Sequence, residues 1–136
     1  MPIEWNEELE LHIKIIDLQH KQLIKVTNEL LTKIDKPLPE TKLDAIFQEI
    51  IRYTQYHFGT EEFFLKKFNC DSSQTILHIQ EHEKFKSEVA RLYQLVKIDK
   101  TKSIFELINL LENWLIHHIP TVDKKYVECF HQNKLY

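Results

Sequence analysis

Eight histidines are spread through a chain of 136 residues, and their spacing is of a kind that chemistry can use. His57 stands four positions before Glu61, and His78 four before His82. On an α-helix such pairs differ by about 40° around the axis, so both side chains reach one point. His20 and His118 add single imidazoles. Asp123 follows His118 by five positions, which on a regular helix would turn it about 140° away. Pro120 lies between them and forbids a regular helix there, so a break could turn Asp123 back. Imidazole suits iron, copper, nickel and zinc, while carboxylates favour harder ions. A single inward histidine is ordinarily a core residue with a satisfied hydrogen bond. Five histidines and two carboxylates buried together would be costly without a cation. They also exceed the four donors that close one structural zinc site. The set points to two ions with carboxylates between them, and its mixture of donors to iron.

These residues need elements that bring them to one place. Apolar residues recur at helical spacing in four segments. The first, about residues 17–35, carries Leu23, Thr27, Leu30, Leu31 and Ile34 on one face, with Asp17 as N-cap or first-turn residue. The second, about 40–67, follows the break at Pro37-Leu38-Pro39. The third, about 73–96, starts after a polar turn in which Ser72 or Ser73 is the expected cap. The fourth runs from about 102 to 119, and a short final helix occupies about 122–130. Residues 1 to about 15 read as an arm that packs on the body through Trp5. Short connections make the helices antiparallel neighbours. The expectation is one all-α domain over 1–136, an up-down-up-down four-helix bundle. In that topology His20, His57, Glu61, His78, His82 and His118 all fall at the same end, and each continues its helix's apolar stripe.

The remaining features exclude more than they assign. One glycine and four prolines leave little turn chemistry for a sheet protein. The net charge is −3, with no basic stripe, so nucleic-acid binding has no footprint. No apolar run reaches membrane-spanning length and the start lacks a signal-peptide pattern, so the expected location is the cytoplasm. Cys70 and Cys129 form no CxxC and are expected to be reduced thiols. His117 points about 100° away from His118 on a helix, and His12 and His131 lie in arm and tail. Gly59, two positions from His57, faces away from the site and is either tolerated or makes room for a loop.

The segments IIDLQHKQL (15–23), HFGTEE (57–62), HIQEH (78–82) and WLIHHIPTVDKKY (114–126) together resemble the hemerythrin family, particularly its single-domain bacterial members. The resemblance implies a non-haem di-iron site that binds O2 reversibly. His78, His82 and His118 would hold one iron, and His20 and His57 the other. Glu61 and Asp123 would bridge the two, with an oxo or hydroxo bridge from solvent. On this reading Leu23, Leu115 and Trp114, each a turn or less from a ligand histidine, wall the O2 pocket. The alternative is a di-iron oxidase or peroxidase, or a nitric oxide-handling protein. Nothing in the sequence names a protein partner or separates monomer from homo-oligomer.

Overall fold

A computed structural model describes residues 2–34 and 36–136. Its main elements are α1 (Lys14–Lys33), α2 (Glu40–Lys67), α3 (Ser72–Leu95) and α4 (Lys100–Asn113). A π-helical segment (Trp114–Val122), a 3-10 turn (Asp123–Tyr126) and α5 (Val127–Gln132) follow. The helices close a ring in which α1 packs on α2, α2 on α3, α3 on α4, and α4 on α1. Among the described residues there is no strand, and none of the helices is long and apolar enough to cross a membrane.

The stripes expected from the sequence form the interior. Leu43, Phe47 and Ile50 of α2, Leu92 of α3, and Leu107 and Leu111 of α4 are almost wholly buried. This main core continues to Leu23, Phe58, Trp114 and Leu115. A smaller core of Leu11, Ile13, Ile16, Leu65, Tyr126 and Phe130 lies beyond it. On α1, His20 falls between Ile16 of the small core and Leu23 of the large one. On α2, Glu61 falls likewise between Phe58 and Leu65. The polar end of the bundle is therefore sealed on both sides by apolar layers.

Several boundaries differ from expectation, each for a local reason. α1 begins at Lys14 rather than 17, and its expected end at residue 35 lies outside the described residues. Asp17 sits in its first turn, where Oδ1 accepts the Leu11 amide at 2.9 Å and ties the arm down. The arm is also held by Asn28, which exchanges two hydrogen bonds with the Ile3 backbone. Trp5 is only half-buried, with Lys21 over its ring, and Leu9, Leu11 and Ile13 go deeper. Asp71, not Ser72 or Ser73, caps α3 by accepting the Gln74 amide, while Ser73 donates to the same carboxylate. The expected thiols are a correction of another kind. Cys70 and Cys129 form a disulfide, because α5 folds back onto the α2–α3 turn and brings their Cα atoms to 6.0 Å.

A methyl group added at Gly59 would meet nothing within 4 Å. The glycine makes room for no loop, and it costs helix stability without a packing return. Gly59→Ala should raise stability by about 0.5–1 kcal/mol in denaturant unfolding. A destabilised variant would contradict the open space.

Candidate metal centre

Each histidine reaches the cluster by its helix phase. His57 and Glu61 lie one turn apart on α2, and His78 and His82 one turn apart on α3. Asp123 arrives by a different device. Pro120 has no N–H, and its ring presses on the preceding turn. The chain accommodates it by widening to a π-helix, and the Asp123 amide bonds to the His118 carbonyl, five residues back. That wider turn stacks Asp123 over His118, where an α-helix would have swung it aside.

His20, His57, Glu61, His82 and Asp123 are fully buried, and His78 and His118 nearly so. All five imidazoles turn Nε2 inward. His118 Nε2 lies 2.9 Å and His78 Nε2 3.0 Å from Asp123 Oδ1, and His20 Nε2 is 3.1 Å from Oδ2. His57 Nε2 lies 2.9 Å and His82 Nε2 3.4 Å from Glu61 Oε1, while His78 Nε2 is 3.6 Å from Oε2. The donors form two compact groups: His78, His82, His118 and Asp123, and His20, His57, Glu61 and Asp123. All seven residues singled out in the sequence are brought together. His117 and His12 are exposed, and His131 lies at the tail, where its Nε2 donates to the His12 carbonyl.

The residues present fit a cation better than they fit one another. Glu61 Oε1, both Asp123 oxygens and Nε2 of His78, His82 and His118 make no hydrogen bond among the described residues, although all are buried. Nε2 of His20 and His57 face each other at 3.1 Å, so at most one of them can carry a proton in that contact. Buried nitrogens and oxygens that converge without good hydrogen-bond geometry, and whose charge is met only by protons kept on imidazole, are what a metal ion relieves.

Three further residues complete the site, and sequence reading missed them. His57 Nδ1–H donates to Gln19 Oε1 at 2.5 Å, and Gln19 is in turn held by Thr60. His82 Nδ1–H donates to Glu62 Oε2 at 2.8 Å. The Tyr126 hydroxyl donates to Glu61 Oε2 at 2.6 Å. Such partners fix the ring and leave Nε2 for a ligand. Tyr126 carried a faint signal, lying one turn after Asp123. Glu62 and Gln19 carried none, because their partners are on other helices. Aromatic faces close the rest: Trp114 stacks on His118 at 3.5 Å and Phe58 on His82 at 3.8 Å.

The electrostatics describe a cluster that holds protons in place of cations. Burial opposes charge on His78, but Asp123 and Glu61 raise its pKa to about 10. Burial likewise opposes charge on His82, yet Glu61 and Glu62 raise it. Burial lowers His57 despite Glu61. Burial pushes the Glu61 carboxyl up, but His57, His78 and His82 hold it well below the usual carboxylate range. Asp123 is pushed up by burial and by Glu61, and His118 and His20 bring it below that range.

A helical bundle with a buried cluster of imidazoles and carboxylates at one end defines a cation-binding domain of the non-haem type. The family model described as Hemerythrin HHE cation binding domain matches residues 11–130. The chain belongs to the hemerythrin family, whose domain binds non-haem iron. It is 27% identical to a bacteriohemerythrin of Clostridium acetobutylicum, over 91% of this chain and 98% of the relative. It is 30% identical to a bacteriohemerythrin of Pseudomonas paraeruginosa, over 92% of this chain and 79% of the relative. A myohemerythrin of Theromyzon tessulatum is 26% identical, over 92% of this chain and 91% of its own length.

The pKa directions set the stability of the cation-free chain. The raised His78 and His82 stabilise the fold fully below about 6.5, and that contribution is lost as pH rises, for His78 through about 10. The lowered His57 works in reverse, destabilising as pH falls below 6.5. The depressed carboxylates stabilise above the usual carboxylate range and lose that contribution as pH falls through and below it. The thermal midpoint should therefore peak near pH 6.5 and fall on both sides. Cation loading should release protons from the cluster and flatten the alkaline fall. A cation-free chain that gains stability steadily from pH 6.5 to 9 would contradict this assignment.

Proposed function

We propose that this protein binds O2 reversibly at two non-haem irons. One observation carries the reading. Asp123 turns one oxygen to His78 and His118 and the other to His20, so a single carboxylate faces two separate groups of donors. On this reading His78, His82 and His118 would hold one iron and His20 and His57 the other, with Glu61 and Asp123 as the carboxylates shared between them. The irons supply the electrons that make O2 binding reversible.

The remaining work falls to the chain. Two histidines against three leave the His20/His57 side short of a donor, which is where O2 would enter. Glu62 draws His82 toward itself as a charged acceptor, whereas Gln19 offers His57 a neutral one, so the two sides differ in basicity. Tyr126 keeps a proton on its hydroxyl, since burial and the nearby Glu61 and Asp123 raise its pKa well above the ordinary value. It thereby holds Glu61 by donation rather than competing with it as an anion. Leu23 and Leu115 are almost fully buried and would wall the O2 pocket on this reading, whereas Trp114 stacks on His118 on the three-histidine side. A dry wall keeps water from displacing bound O2 in reduced form. Oxygen-activating di-iron sites use more carboxylates, and five histidines with two carboxylates suit reversible binding better.

The test is optical. The ferrous-loaded protein exposed to O2 and then degassed should gain and lose a visible band over repeated cycles. A single irreversible change with turnover of a reductant would instead favour the oxidase reading. Leu115→Asn should hasten decay of the oxygenated spectrum by about tenfold, by admitting water to the pocket. An unchanged decay would remove Leu115 from the wall.

A further inference from the structure

The Cys70–Cys129 disulfide is not used by the chemistry above, and its position is specific. Both cysteines are half-buried. Both line an open groove of about 400 Å³ between the start of α3 and the C-terminal segment, and His78 and Tyr126 line the same groove. The cross-link spans 59 positions. Within that loop lie His78, His82, His118 and Asp123, which form one entire donor group including the residue shared with the other. Cys70 follows the end of α2, the helix that carries Glu61. Cys129 lies three positions after Tyr126, which donates to Glu61. The bond thus fastens the Glu61 helix to the segment that delivers Asp123.

That segment holds its place by tertiary packing rather than by regular helical structure. It consists of a π-helix interrupted by proline, a four-residue 3-10 turn and a six-residue α5. Helices this short are not stable alone. Apart from the disulfide, it is anchored by Trp114, Leu115 and Ile119 in the main core, by Tyr126 and Phe130 in the smaller one, and by the bonds of Tyr126 to Glu61 and of His131 to the His12 carbonyl. These contacts keep it docked on average but allow brief opening, and a covalent bond at Cys129 makes such opening rarer.

We propose that Cys70–Cys129 is a thiol-exchange site, open to dithiol reductants through the groove, that governs how firmly the metal centre retains its cations. The exchange balances without another reactant. A thiolate of the dithiol attacks one sulfur and forms a mixed disulfide as the other cysteine leaves as thiolate and takes a proton. The second thiol of the reductant then closes on its partner and releases the first cysteine. Two electrons pass from the dithiol to the protein, which ends with two thiols. The reduced chain stays folded, but its C-terminal segment opens more often and the cations escape faster. The consequence for cations rests on the proposed function above.

Three readouts test this. Dithiothreitol without denaturant should make both cysteines of the folded protein alkylatable; a bond that yields only in denaturant overturns the exchange site. Hydrogen exchange of the cation-free chain should quicken over residues 119–132 on reduction and stay unchanged over the middle of α1. A uniform change, or none, overturns the coupling. Iron extraction by a chelator, with O2 excluded, should run about tenfold faster from the reduced protein than from the disulfide form. Cys70→Ser/Cys129→Ser should match the reduced protein, and it needs no reductant during the assay. Equal extraction rates overturn the proposal while leaving the metal site intact. If no form takes up iron, the proposed function fails, and the exchange comparison on the cation-free chain still decides the latch.

Discussion

Two carboxylates, Glu61 and Asp123, are buried in this bundle with no exposure to solvent. An ionised carboxylate in such surroundings is very costly unless positive charge and hydrogen-bond donors meet it. Most of what is distinctive in the structure follows from that constraint. Five imidazoles converge on the two carboxylates from four helical elements. Two apolar layers then flank the site, and only His78 and His118 among its histidines keep a trace of exposure. In the cation-free chain the charge is met by protons on histidine, which is why His78 holds one up to about pH 10. Cations would replace those protons and satisfy the orphaned nitrogens and oxygens together.

The constraint is met unevenly around the site, and the unevenness has chemical meaning. His82 is backed by the Glu62 carboxylate and His57 by the Gln19 amide. The first backing strengthens its imidazole as a ligand more than the second. Aromatic faces lie against His118 and His82 on the side with three histidines, and Tyr53 stacks on His57 on the other. Differences of this kind make the two donor groups chemically unequal.

The fold was legible because helical periodicity is a strong signal and the glycine and proline content left few competing architectures. Most of the site was legible for the same reason, since His57 with Glu61 and His78 with His82 lie one turn apart. Asp123 was legible only as the consequence of a break at Pro120; the π-helical winding that delivers it has no distinct sequence pattern. Glu62, Gln19 and Tyr126 escaped because their partners depend on how helices register against one another, which spacing within a single helix does not fix. The disulfide escaped because residues 59 positions apart meet only once α5 has folded back. At the start of α3 three adjacent side chains could each cap the helix, and local competition in the turn settled on Asp71.

The central claim is that one buried carboxylate serves two cations. It is tested most directly by titrating the cation-free protein with ferrous ion under exclusion of O2, followed by X-ray absorption at the iron edge. Two irons per chain and a short iron–iron scattering vector are expected, and both should be lost together in Asp123→Ala. Saturation at a single iron per chain, with no metal neighbour at short range, would contradict it.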